Sequence, residues 1–212
     1  LNSKTDKIQK IAAVVFDLDG TLVSSNIDFS LLRKELNCPP DNDLLKHIET
    51  LPKEQQENAT QLIVAHELID AENSLPLQGC HNLLEFLSRQ QLKTAIVTRN
   101  CRSAALAKLK QNDLGIGELL TREDYPAKPA PDALLALAKQ WQIAPESIIY
   151  VGDYKYDLEA ANNANMIACL IHHNKPAPYQ HLADLAFAEL DQLEQFLKNQ
   201  LLLSQIAKEA VA

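Results

Sequence analysis

The stretch Val14-Val15-Phe16-Asp17-Leu18-Asp19-Gly20-Thr21-Leu22 decides the fold. Ala13 to Phe16 is an apolar, β-branched run with no polar alternation, which reads as a strand buried on both faces. It runs straight into two carboxylates separated by one residue. Paired acids at the end of a buried strand are costly unless a cation or a functional role compensates them. Side chains at i and i+2 leave a strand on the same side, so Asp17 and Asp19 are placed to face one small cavity. Gly20 then lets the backbone turn away at an angle that other residues resist.

Outward from this stretch, strands alternate with helices. Thr94 to Thr98 reads as a second strand, Glu118 to Leu120 as a short third, Ser147 to Val151 as a fourth and Met166 to Ile171 as a fifth. Between them lie helical stripes: Leu83, Leu84, Phe86 and Leu87; then Leu106 and Leu109; then Leu134, Ala138 and Trp141 behind Pro131. Leu190, Leu193, Phe196, Leu197 and Leu201 form a closing amphipathic helix. This alternation predicts an α/β fold with a doubly wound parallel sheet, in which ligands bind beyond the carboxyl ends of the strands. Residues 24–75 differ in character. They hold helical stripes (Phe29, Leu32, Leu36; Leu44, Leu45, Ile48; Ala59, Leu62, Ile63, His66, Ile69) broken by Cys38-Pro39-Pro40 and Leu51-Pro52. The expected division is an α/β core of residues 1–23 plus 76–212 and a small helical subdomain of residues 24–75.

The polar residues that end the apolar runs form a short set. The first strand gives Asp17 and Asp19. The second gives Thr98, followed by Arg99 and Asn100. The loop after the third gives Lys128, and the fourth gives Asp153, with Asp157 four residues on. In order and position this set resembles the four motifs of the haloacid dehalogenase (HAD) superfamily. Asp17 and Asp19 match motif one, Thr98 motif two, Lys128 motif three and Gly152-Asp153-x-x-x-Asp157 motif four, over roughly residues 11–171. Residues 24–75 stand where that family inserts its cap, so the resemblance implies a HAD-like Rossmannoid core with a helical cap.

The resemblance also implies the chemistry. Phosphoryl transfer at neutral pH needs a nucleophile, neutralisation of charge on the phosphoryl oxygens and a proton donor for the leaving oxygen. Asp17, already ionised, would attack phosphorus, and Asp19 would protonate the leaving alkoxide and later take a proton from water. Thr98 and the backbone N–H of Arg99 would hold a phosphoryl oxygen, and Lys128 would pair with the phosphoryl oxygens and Asp17. Asp19 in its double role calls for a carboxyl raised by a neighbouring anion. A divalent cation, Mg²⁺ by default for hard oxygen ligands, would be held by Asp17, the Asp19 carbonyl and Asp153, with Asp157 acting directly or through water. The expected activity is hydrolysis of a small phosphorylated metabolite, such as a phosphoglycolate-like acid or a sugar phosphate. A phosphomutase of the β-phosphoglucomutase kind and a catalytically silent binding module are the alternatives. A dehalogenase or phosphonatase is disfavoured by the presence of Asp19.

Composition bounds the rest. The 212 residues are 46% apolar with a formal net charge of −8. That balance disfavours nucleic acid as a partner, since phosphate contacts need a basic face. No apolar run is long enough for a membrane span. Leu1 to Lys10 is polar, lacks a signal-peptide core and has no initiator Met. Cys38, Cys80, Cys101 and Cys169 are widely spaced without CxxC, as expected of reduced thiols in a cytoplasmic protein. Nothing in the chain specifies an oligomeric state. His172-His173 reads as a surface loop, Cys101 as a small residue at a helix start and His66 as a packed histidine. His66, Arg33, Lys34 and Lys53 are minor candidates for substrate contact from the cap.

Overall fold

A computed structural model of the chain describes residues 11–209, with side chains to 203; the reading of Leu1 to Lys10 lies outside the described residues. The sheet has six parallel strands in the order β3-β2-β1-β4-β5-β6. They are β1 (Ala13–Phe16), β2 (Lys93–Val97), β3 (Leu119–Leu120), β4 (Ile148–Gly152), β5 (Ile167–Ile171) and β6 (Leu185–Phe187). β1 is central and wholly buried. Its register aligns Phe16 with Ile96 on one side and with Val151 on the other. The carboxyl ends of β1, β2 and β4 therefore stop at one level, and Asp17, Thr98 and Asp153 emerge together. The strand order reverses between β1 and β4, which is where such sheets open a crevice for ligand.

Alternation along β1 serves both faces. Val14 and Phe16 pack with Leu83 and Leu87 of α4 (Cys80–Arg89) and with Leu193 and Leu197 of α8 (Leu190–Glu209). Ala13 and Val15 pack with Leu134 and Leu137 of α6 (Asp132–Trp141) and with Leu158 and Ala161 of α7 (Lys155–Asn163). Pro131 stands one residue before α6, as its N-cap. β6 is a strand the sequence did not announce: three half-buried residues at the sheet edge are too short a run to show a period.

Between β1 and α4 the chain forms three helices, α1 (Phe29–Glu35), α2 (Leu44–Thr50) and α3 (Lys53–Asn73). Asp28 and Asp43 cap the first two with side-chain bonds to backbone N–H groups. Leu32, Leu44, Ile48, Ala59 and Ile63 form a small apolar cluster of their own. Phe29, expected inside that cluster, is instead 53% exposed.

Two helix faces are turned relative to the hydropathy pattern. On α3, Ile69 is 62% exposed while Glu67 and Asp70 are buried. On α5 (Arg102–Gln111), Leu106 is 50% exposed while Lys108 is fully buried beside Ala104 and Ala105. The reason is that α3 and α5 pack against each other through a polar seam. Glu67 accepts from the Cys101 backbone N–H at 3.0 Å, Asp70 pairs with Lys108 at 2.6 Å, and the Asn112 amide donates to Ser74 Oγ at 2.9 Å. Buried polar groups with partners replace an apolar interface here, so the leucine and isoleucine are turned outward.

Candidate active site

The strand ends deliver Asp17, Thr98, Asp153 and, from the loop before α6, Lys128 to one crevice. Two glycines make the close approach possible. Gly20 sits at φ +73°, and a Cβ there would fall 2.3 Å from Asp153 Oδ2. At Gly152 a Cβ would fall 2.2 Å from Asp157 Cβ. Any larger residue would push the acids apart. The Gly20 turn is braced from outside, because its carbonyl accepts a 2.7 Å bond from His173 Nε2. A carbonyl only accepts, so Nε2 carries the proton. The loop of His172-His173 is thus a support for the β1 turn as well as a surface feature.

Lys128 is the centre of the site. Its buried Nζ donates to Asp17 Oδ1 at 2.6 Å, Asp157 Oδ1 at 2.6 Å and the Tyr150 hydroxyl at 2.8 Å, which uses all three ammonium protons. Asp157 accepts at its other oxygen from the Tyr154 backbone N–H at 3.0 Å. The Tyr179 hydroxyl donates to the Asp153 carbonyl at 2.9 Å.

Asp17, Asp153 and Asp157 each bring a carboxylate oxygen within 4.8 Å of the others. Burial pushes the Asp17 carboxyl up to about 7; Lys128 opposes the rise and Asp157 adds to it. Burial, then Asp157 and Asp17, raise Asp153 well above the carboxylate range. Three acids around one lysine leave negative charge in excess, and the donors are hard oxygens in a crevice. That chemistry fits a hard divalent cation. The Asp19 carboxylate lies apart from this trio.

Asp19 is held elsewhere. Its Oδ1 lies 2.5 Å from Lys108 Nζ and its Oδ2 accepts from the Asn100 amide at 2.9 Å. The carboxyl is raised, as the sequence led us to expect, but the cause differs. Burial is the main one; the nearest neighbour is a cation that works against it, and Asp70 adds only a small push. Thr98 is buried, with Oγ1 accepting from the Asn100 N–H at 3.2 Å. The Arg99 side chain reaches away, and one of its terminal nitrogens donates to both Asp43 oxygens, at 2.7 and 2.8 Å. It also donates to the Lys128 carbonyl and lies 4.5 Å over the Tyr156 ring. Arg122 similarly grips Glu67 and the Arg99 carbonyl. Cys101 is buried at the start of α5, and its thiol is pushed up, chiefly by burial.

A cavity of about 470 Å³ opens above these groups. Its floor is Asp17, Asp19, Lys128 and Asp153, and its far wall is Phe29, Arg33, Leu44 and Ile63 from the three inserted helices. Phe29, outside the apolar cluster, lines this cavity. Of the minor candidates, Arg33 lines the cavity, and its buried Nε has no hydrogen-bond partner.

Residues 14–171 match the family model for haloacid dehalogenase-like hydrolases. The chain belongs to the haloacid dehalogenase-like hydrolase family. It is 30% identical over 182 residues to a haloacid dehalogenase-like hydrolase domain-containing protein of Arabidopsis thaliana, covering 80% of this chain and 74% of the relative. To the pyrophosphatase PpaX of Bacillus cereus it is 28% identical over 173 residues, covering 73% and 80%. Among solved structures, a predicted phosphoglycolate phosphatase from Haemophilus somnus superposes with a TM-score of 0.71 at 20% identity, over 88% of this chain and 98% of that one. That likeness shows the shared HAD fold. Tyr150, Lys108, Asp70, Asp43 and His173, which bond to the residues of this crevice and its surroundings, carry no signature in the sequence. Their roles depend on partners far away along the chain. No helix among the described residues is long and apolar enough to cross a membrane.

Proposed function

We propose that this HAD hydrolase removes phosphate from a small-metabolite monoester through a phosphorylated Asp17. The observation that carries the reading is Lys128 bonded to Asp17 within the group of three acids. Mg²⁺ would be held by the Asp17 and Asp153 carboxylates, the Asp19 carbonyl and Asp157 directly or through water, and would supply charge neutralisation at the phosphoryl oxygens. Lys128 keeps Asp17 in place and presents positive charge to the same oxygens. Thr98 and the Arg99 N–H hold one of them.

In the first step an Asp17 oxygen forms a bond to phosphorus, the bond from phosphorus to the alcohol oxygen breaks, and the Asp19 carboxyl gives its proton to that oxygen. In the second, Asp19 takes a proton from water, the resulting hydroxyl attacks phosphorus, and the Asp17–phosphorus bond breaks to release phosphate. Helices α1 to α3, within residues 24–75, act as a cap that limits the cavity to a small substrate and excludes bulk water. Four free, buried cysteines suit a reducing, cytoplasmic setting.

The test is phosphate release from a panel of monoesters with magnesium present and then chelated, with Asp17→Asn as control. The Bacillus relative's name adds inorganic diphosphate to the panel. Magnesium-dependent release that Asp17→Asn abolishes supports the reading. No release from any compound overturns it.

A further inference from the structure

Lys108 has no place in the chemistry described above, yet it is fully buried and committed to it. Its Nζ lies 2.5 Å from Asp19 Oδ1 and 2.6 Å from Asp70 Oδ2. Asp19 is two residues past the nucleophile, and Asp70 belongs to the inserted helix α3. Asp70 is itself tied to the connection that leaves the β1 turn. It accepts from Ser25 Oγ at 2.9 Å and from the Asn26 backbone N–H at 2.6 Å. The lysine reaches this point from α5, on the core side, although the hydropathy pattern of that helix would turn it to solvent.

A buried ion pair is weak evidence for stability, because desolvation offsets much of the attraction and an apolar replacement often serves as well. The geometry points to another use. We propose that Lys108 is a positioning residue that fixes the Asp19 carboxyl for proton transfer, and that Asp70 makes this orientation depend on the seating of α3. Asn100 holds the second oxygen of Asp19, so the two together leave that carboxyl one orientation. If α3 shifts from its seat, Lys108 loses one of its two carboxylates and Asp19 loses a fixed partner. The proton donor is then correctly set only while the cavity wall is in place. This rests on the proposed role of Asp19 as acid and base.

The consequence is selective. When Asp17 attacks an alkyl phosphate, the departing alkoxide needs the Asp19 proton. A p-nitrophenyl phosphate releases a stable phenolate that needs it far less. The value of kcat/KM reports only the steps up to phosphorylation of Asp17, so it isolates this difference. Replacing Lys108→Met should lower the ratio of kcat/KM for the fastest alkyl ester of the panel to that for p-nitrophenyl phosphate by at least about tenfold, within the range general acid catalysis supplies. The ratio does not depend on how much of the variant is folded. Asp70→Asn, which keeps the side-chain shape, should move it the same way by less, and it serves as the second variant if Lys108→Met does not fold. Asp19→Asn is the reference. A ratio lowered in Asp19→Asn but unchanged in both Lys108→Met and Asp70→Asn would overturn the proposal while leaving the phosphatase reading intact. A parent protein that turns over neither ester would remove both.

Discussion

Replacing Lys128→Met takes the one cation from the centre of the acidic group. Asp17 and Asp157 each lose a 2.6 Å charge-assisted bond, and Tyr150 loses one at 2.8 Å. Breaking a buried pair by removing one partner costs about 3–5 kcal/mol, because a charge is left without compensation. The lower end applies here. Burial already pushes the Asp17 carboxyl to about 7 with the lysine present, so without it Asp17 takes up a proton near neutral pH and sheds its charge. The stranded charge is then Asp157. A loss of about 3 kcal/mol corresponds to a fall of roughly 6–12 °C in Tm for a chain of this size. The assay is thermal unfolding at pH 7 with and without magnesium, on the parent, Lys128→Met and Lys128→Met/Asp157→Asn. The double variant should melt above the single one, since it removes the stranded charge. Magnesium should recover more stability in Lys128→Met than in the parent, because the acids have lost their internal counter-ion. A single variant that melts within about 2 °C of the parent would refute the claim that Lys128 balances the site.

Other consequences are as direct. Asp17 has a folded-state carboxyl raised from 3.8 to about 7, so its contribution to stability is complete below pH 4 and is lost as pH rises toward 7. The metal-free protein should therefore lose Tm across that window, and Asp17→Asn should flatten the slope; equal slopes in both proteins would contradict it. Gly20→Ala places a Cβ 2.3 Å from Asp153 Oδ2 at a positive φ, and should cut turnover at least about tenfold and weaken magnesium dependence. Turnover at the parent level would show that the β1 turn does not set the position of Asp153. Asp43→Ala removes both the cap of α2 and the Arg99 clamp, and should cost about 1–2 kcal/mol while raising KM more than it lowers kcat. A fall in kcat alone would place the clamp in the chemical step instead.

The legible part of this protein is the part where hydropathy changes abruptly. β1, β2 and β4 are apolar runs that end in acids or threonine, and each ended where its polar residue was read. Lys128 is legible because it closes a loop between two such elements. The seam between α3 and α5 was illegible for the opposite reason. Ile69 and Leu106 continue an apolar period that the fold does not use, and Lys108 reads as a solvent-facing charge until its partners are known. Those partners lie 38 and 89 residues away along the chain. Periodicity reports which face of a helix is apolar; it does not report that two helices will bury charge against each other. Phe29 illustrates the same limit: the stripe it belongs to faces a cavity at one end and a core at the other.

The central claim is that Asp17 carries the phosphoryl group between substrate and water. The most direct measurement is the intact mass of the protein quenched in acid during turnover of its best monoester with magnesium, followed by peptide mapping. The account predicts a fraction of molecules heavier by one phosphoryl group, mapped to Asp17 and absent in Asp17→Asn. Rapid phosphate release with no such species at any quench time, or with the group on another residue, would contradict it.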